Sequence, residues 1–172
     1  WSGKLQTIIA GEEQLQALQQ SIRTQEADLK KQAQSLSERR LKAAPLLEKA
    51  VMHLLEQVGM PMAQLEVRIA SGELNAFGQD KIQLLFSANK GMNLQELGKV
   101  ASGGELSRLM LCLKSVVADK TALPTLIFDE IDTGISGEVA RKVGLLLAAL
   151  AKQHQLLSIT HLPQIAACGQ AH

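Results

Sequence analysis

Aromatic rings are scarce in this sequence: Trp1, Phe77, Phe86 and Phe128 are the whole set, with no tyrosine. That argues against a surface that binds single strands by stacking successive bases on rings. The two cysteines, Cys112 and Cys168, stand far apart among apolar neighbours and form no CxxC pair. They read as reduced thiols of a core rather than a disulfide framework or a metal knuckle. No HExxH or similar ligand spacing occurs, and His53, His154 and His172 read as ordinary polar residues. No apolar run approaches the ~20 residues that a membrane span requires, and no signal-peptide pattern is present. An excess of one charge is missing too. The formal charge is +1, and the first 50 residues carry eight Lys/Arg against six Asp/Glu, too little for a strongly basic nucleic-acid clamp. The chain opens on Trp1 rather than methionine, so it is expected to be a piece of a longer, cytoplasmic protein.

What is present suffices for a packed core. Hydrophobic residues make up 46% and charged residues 20% of 172 positions, enough for one domain plus an extended element against a prior of ~150 residues per domain. Residues 1–44 are rich in Gln, Glu, Lys and Arg and contain no proline. Ile8, Leu15, Ile22, Leu29 and Leu36 recur every seven residues. A straight helix drifts off that period, so the stripe predicts a left-handed coiled coil with another helix rather than a solvated amphipathic helix. The companion seam is poorer, with Gln25 and Gln32 following Leu18. Pro45 is expected to open or kink a second helical segment, on which Leu47, Val51, Leu54, Leu55 and Val58 form one face. Gly59 and Pro61 predict its end.

Beyond that point the period changes. Residues 64–70 alternate (Leu65, Val67, Ile69), as do residues 81–88 (Ile82, Leu84, Phe86), predicting two strands around a turn at 71–79. Residues 89–101 read as loop. A helix is expected from Glu105, through Leu106, Leu109, Met110, Leu113, Val116 and Val117. The short apolar run Leu126-Ile127-Phe128 predicts a strand buried on both faces. A further helix carries Val139, Val143, Leu146, Leu147 and Leu150, and a last strand spans 155–160. Strand, helix and strand in this order predict a parallel βαβ unit.

Three constellations carry chemistry. Ser102-Gly103-Gly104-Glu105 stands at the mouth of a helix, where paired glycines and the helix N-terminus can turn backbone N–H groups toward an anion. Ser102 and Glu105 also fit a capping box, a purely structural role. Asp129 and Glu130 end the apolar strand, at the edge where α/β folds bind ligands. Adjacent carboxylates there repel unless a cation is near. Because side chains alternate along a strand, Asp129 can serve Mg2+ through water while Glu130 orients or deprotonates an attacking water. His161 closes the last strand, within reach of the same edge and of a γ-phosphate.

The run from Val100 to Arg108 (VASGGELSR) resembles the ABC signature motif of SMC-like ATPases of the RecN type. Phe128 to Ser136 (FDEIDTGIS) resembles their Walker B strand and D-loop, and Thr160 to Ala166 (THLPQIA) their H-loop. The segment Phe86 to Gly91 is similar to the family's approach to the signature. The resemblance is dense from Gly59 onward and only general in the coiled coil. It implies an α/β fold: the C-terminal lobe of an ABC/SMC-type P-loop ATPase head, with a parallel sheet and flanking helices, at 59–172, preceded by a coiled-coil segment at 1–58. It also implies ATP and Mg2+ as cofactors, with ATP sandwiched between two heads. Ser102, Gly103, Gly104 and Glu105 would then belong to the nucleotide contact and Asp132, Gly134 and Ser136 to the head–head contact. Asp129 would support the metal, and Glu130 and His161 would be catalytic. The implied partners are the N-terminal lobe, a second head and DNA, with no membrane, in a cytoplasmic, nucleoid-associated protein of double-strand-break repair and recombination.

One element is missing. A P-loop needs G-x-x-x-x-G-K-[ST], but in the nearest candidate six residues separate Gly91 from Gly98-Lys99, and Val100 follows. The chain alone is therefore expected neither to bind ATP tightly nor to hydrolyse it. Two other readings compete: the nucleotide-binding subunit of an ABC transporter, which five heptads would not precede, and a non-enzymatic coiled-coil module whose motif-like pieces only cap helices.

Overall fold

The computed structural model describes residues 2–91, 93–99, 103–118 and 125–171. It opens with α1, an uninterrupted helix over Ser2–Gln57. No second helix opens at Pro45, which lies inside α1. Proline removes one N–H and crowds the carbonyl four residues back, costing roughly 3 kcal/mol in a helix interior. Strong helix formers flank it on both sides (Leu41 to Ala44, Leu46 to Ala50), and the C-terminal turns are anchored by the fully buried Val51, Leu55 and Val58. Gly59 ends the helix as expected. Its φ is +83°, and Met60 N–H reaches back to the Leu55 carbonyl at 2.9 Å, a left-handed C-terminal cap.

After α1 come β1 (Gln64–Asn75), β2 (Gly78–Ser87) and β3 (Gln95–Glu96), forming a three-stranded sheet in that order. The turn between β1 and β2 is far shorter than the expected 71–79. Only Ala76 and Phe77 connect the strands, with Gly78 at φ +104° and the Asn75 carboxamide oxygen accepting Phe77 N–H at 2.8 Å. The ladder runs on through polar residues that alternation of apolar side chains cannot reveal. The segment read as loop at 89–101 supplies β3, antiparallel to β2 with Leu85 opposite Glu96, and a 3-10 turn at Leu97–Lys99. The remaining elements are α2 (Gly103–Val117), β4 (Thr125–Phe128), α3 (Gly137–Leu150), β5 (Gln155–Ser158) and the short α4 (Pro163–Ala166). β4 and β5 pair in parallel, Leu126 opposite Leu156 and Phe128 opposite Ser158. The βαβ unit is therefore present.

The chain divides into two compact units: residues 1–42 with 69–81, and residues 43–68 with 82–172. In the first, the hairpin tip is fastened to α1 by polar contacts. Asp80 accepts from Ser37 Oγ at 2.5 Å and from Arg40 Nη1 at 2.7 Å, while Arg40 Nη2 holds the Phe77 carbonyl at 2.8 Å. These donors hold the Asp80 carboxyl below the usual aspartate range, Ser37 contributing most and Arg40 next. Leu15, Ile22 and Leu29 of the heptad stripe are exposed, as a seam awaiting another helix would be.

The second unit holds the core. Val51, Leu55 and Val58 of α1 gather with Phe86, with Leu109, Leu111 and Cys112 of α2, with Phe128 of β4, and with Ala140, Val143 and Leu147 of α3. Glu48 accepts the Val67 N–H of edge strand β1 at 2.7 Å. At Gly144 a Cβ would lie 2.8 Å from Cys168 Sγ and 3.2 Å from the Gln164 carbonyl, so α3 and α4 pack backbone to backbone. β4 departs from the two-sided burial expected of it: Leu126 and Phe128 face the core, but Ile127 on the opposite face is 68% exposed.

Candidate functional site

The carboxyl end of β4 leads into a tight loop, 129–135, that most of the candidate residues touch. Asp129 and Glu130 are both exposed there. Glu130 adopts φ +56° and is the only described non-glycine residue at positive φ. A left-handed conformation costs a residue with a Cβ about 1–2 kcal/mol, so the surroundings must impose it. They do so through successive backbone groups. Glu130 N–H is taken by Asp129 Oδ1 at 2.9 Å, and the Glu130 carbonyl accepts Thr133 N–H at 3.2 Å. From α2, Ser107 Oγ donates to the Asp129 carbonyl at 2.8 Å, and Arg108 Nη1 donates to the Thr133 carbonyl at 2.7 Å and the Ile131 carbonyl at 3.4 Å.

The helix that grips this loop begins at Gly103, two residues earlier than the apolar pattern predicts. Both glycines face this loop closely. A Cβ on Gly103 would collide with the Glu130 carboxylate, and one on Gly104 would lie 2.8 Å from Thr133 Cβ and 3.0 Å from the Glu130 carbonyl. The Gly-Gly turn and the second acid are therefore neighbours within one chain. Ser102 lies outside the described residues. Burial holds the Arg108 guanidinium below its ordinary value, opposed in part by Glu105, partly buried in the first turn of α2.

His161 is brought in by Asp132. This carboxylate is 4% exposed, and its Oδ2 accepts from Thr160 Oγ1 at 2.6 Å and His161 N–H at 2.9 Å. His161 Nδ1 lies 3.0 Å from the same oxygen, while its ring is 76% exposed. Burial is the largest influence on the Asp132 carboxyl and acts to raise it. The Thr160 hydroxyl, the His161 N–H, its own backbone and the imidazole together outweigh that and hold it below the ordinary aspartate value. β5 is registered to β4 by Ile159 N–H on the Phe128 carbonyl at 2.9 Å, so the histidine stands beside the acids on the same rim. Gly134 (φ +75°) and Ser136 are exposed at the far end of the loop. Ser136 is the N-cap of α3, yet its side chain makes no capping bond.

Asp132 therefore faces inward in this chain, whereas the motif resemblance sets it with Gly134 and Ser136 at a contact with a second molecule. Two residues that the motif reading left without a role, Ser107 and Arg108, turn out to clamp the loop. Arg108 was discoverable: at helical spacing it shares a face with Gly104, Leu111 and Cys112, where a charge needs a reason. Among the described residues no group of three or more His, Cys, Asp or Glu side chains could hold a metal by itself, and no helix is long and apolar enough to cross a membrane.

No family model matches the chain. It is 43% identical over 171 residues to the DNA repair protein RecN of Rickettsia felis, a match covering 99% of this chain and 31% of that protein. With the DNA repair protein RecN of Vibrio cholerae it shares 43% over 139 residues, 80% of this chain and 25% of the relative. The chain belongs to the RecN family. It spans less than a third of the length of these RecN relatives. In three dimensions it is similar to the Smc head domain with a coiled coil and joint from Pyrococcus yayanosii, with a TM-score of 0.62 at 20% identity over 92% of this chain and 29% of that one. It is likewise similar to the Smc head domain with an extended coiled coil from Pyrococcus furiosus, with a TM-score of 0.61 at 18% identity over 91% of this chain and 37% of that one. The RecN chain thus has the α/β fold of the C-terminal lobe of an SMC/ABC-type ATPase head preceded by a coiled-coil helix.

Proposed function

We propose that this chain is one part of an SMC-like ATPase of DNA repair, that Glu130 and His161 border a nucleotide cleft completed by other polypeptide, and that the Gly103 end of α2 beside them faces the nucleotide of a second head. The observation that carries the reading is the convergence of helix N-terminus, paired acids and imidazole at the ends of two parallel strands, the edge at which α/β folds bind ligands. The open sheet face supports the second half of the proposal. Ile127, Leu157 and Ile159 are 68%, 52% and 62% exposed, whereas parallel strands are normally covered on both faces. The cover would be the N-terminal lobe of the head, which would also bring the P-loop.

In this reading Glu130 orients and deprotonates the attacking water, its carboxylate lying beside Gly103 at the head of α2. Asp129 and Glu130 suit Mg2+, which characteristically keeps several waters and takes one or two carboxylates together with phosphate oxygens. The ion, when bound, supplies charge neutralisation of the phosphates; Asp129 would reach it largely through water. Gly103 and Gly104, with Ser102 and Glu105, present backbone N–H groups to the γ-phosphate held by a second head, and Gly134 and Ser136 border that contact. Asp132 serves it from behind. His161 faces the γ-phosphate. The functional division is a coiled-coil segment at 1–58 and a head lobe at 59–172. The coiled-coil stripe takes an antiparallel helix of the same protein, DNA is the macromolecular substrate in double-strand-break repair and recombination, and the site of action is the cytoplasmic nucleoid.

The test is Glu130→Gln in a complete RecN protein of this sequence. ATP turnover should fall roughly 10²–10⁴-fold, the scale of a lost general base, while nucleotide binding persists. Unchanged turnover refutes the assignment. The chain by itself should show no hydrolysis and no tight ATP binding by calorimetry.

A further inference from the structure

We propose that Asp132 is a positioning residue for His161, holding the ring as its Nδ1–H tautomer and leaving Nε2 as the working atom. The inference rests on the reading of His161 as a nucleotide-facing group, but its structural half stands by itself. A carboxylate can only accept hydrogen bonds. With Oδ2 3.0 Å from His161 Nδ1, the buried carboxylate favours the proton on that ring nitrogen, which in a neutral ring leaves Nε2 bare.

The arrangement is built rather than incidental. The carboxylate is buried, while the ring it meets is exposed. Solvent competition alone would leave such a ring to rotate. Here the same oxygen also fixes the His161 backbone N–H and the Thr160 hydroxyl, and Thr160 Oγ1 in turn accepts Leu162 N–H at 3.1 Å. The backbone N–H and the ring nitrogen of His161 thus meet the same oxygen. Asp132 is itself located by the loop that carries Glu130: Ile135 N–H bonds the Asp132 carbonyl at 3.3 Å, and Arg108 grips the carbonyls on either side, those of Ile131 and Thr133. One loop therefore sets the position of both the acid and the imidazole. Second partners of this kind fix a histidine's orientation in metal sites, where their loss costs about 10–100-fold in activity or affinity.

Two-bond nitrogen–proton correlation spectra of the 15N-labelled chain decide the structural half, at a pH where the ring is neutral, with His161→Gln used for assignment. The bare nitrogen of His161 should correlate with both Hε1 and Hδ2, which marks it as Nε2. A bare nitrogen correlating with Hε1 alone overturns the proposal, and this measurement needs no variant of Asp132 to fold. In a complete RecN protein, Asp132→Ala should lower ATPase kcat by about 10–100-fold with little change in KM. Asp132→Ala/His161→Ala should be no slower than His161→Ala, because the carboxylate acts through the ring. Multiplicative losses overturn the positioning role. Full activity in His161→Ala would instead remove the nucleotide reading, and the ring spectrum would still decide the tautomer.

Discussion

The two glycines at the head of α2 should respond differently to the same substitution, because what faces them differs in kind. Gly→Ala within a helix is intrinsically favourable by roughly 0.5–1 kcal/mol. At Gly104 the new methyl would stand 2.8 Å from Thr133 Cβ, 3.0 Å from the Glu130 carbonyl and 3.3 Å from the Thr133 carbonyl. These neighbours are mostly backbone of a loop pinned by Ser107 and Arg108, so they cannot yield separately. Overpacking of this sort costs about 1–3 kcal/mol, and Gly104→Ala should destabilise the chain by roughly 1–2 kcal/mol after the helical gain is subtracted. Among the described residues the methyl at Gly103 meets only the Glu130 carboxylate, the movable end of an exposed side chain. Swinging it aside costs at most about one off-rotamer penalty, ~0.5–1.5 kcal/mol, so Gly103→Ala should be close to neutral. Urea unfolding of the two variants, compared at equal m-value, measures the difference directly. Equal midpoints would refute the packing described here. In a complete RecN protein the ranking should invert for function, since Gly103→Ala displaces the acid that the proposal makes catalytic.

Four further outcomes are expected. Gly59→Ala combines φ +83° with a Cβ 2.8 Å from Val139 Cγ1; left-handed strain of about 1–2 kcal/mol and overpacking should give a loss near 2–4 kcal/mol in urea unfolding. Leu55→Ala, at a fully buried position, should cost about 2–5 kcal/mol by the same assay. The Asp80 carboxyl is depressed by Ser37 and then Arg40. Its contribution to holding the hairpin tip is therefore complete above the ordinary aspartate value of ~3.9 and is lost as pH falls through the folded value. Amide exchange at 76–81 should accelerate across that acid range in the native chain, and Asp80→Asn should abolish the dependence. Burial pushes the Cys112 thiol up to about 12, so at pH 8 iodoacetamide should modify the less buried Cys168 and spare Cys112 until denaturant is added.

Much of the site was legible because its chemistry is carried by consecutive residues. A Gly-Gly pair opening a helix, two acids ending an apolar strand and a histidine ending another need no tertiary information to be read as candidates. The parallel βαβ unit followed from strand, helix and strand in order, and the end of α1 followed from Gly59. Local pattern failed where long-range packing overrode it. Pro45 reads as the opening or kink of a second helical segment, but helix formers on both sides and three buried residues beyond carry one helix, α1, through it. The hairpin outran its alternating core because a ladder of backbone bonds continues through polar residues.

The sequence alone therefore determined which groups are available and at which ends of which elements they stand, since periodicity and motif order are properties of neighbours along the chain. Only the tertiary structure decided which way those groups face. Asp132 reads like its exposed neighbours Gly134 and Ser136, yet it lies buried against Thr160 and His161, 28 and 29 residues away. Arg108 reads as part of a motif, yet it spends its guanidinium on two loop carbonyls. A hydrogen bond between distant residues depends on where two elements are placed by the core, and no local pattern encodes that distance.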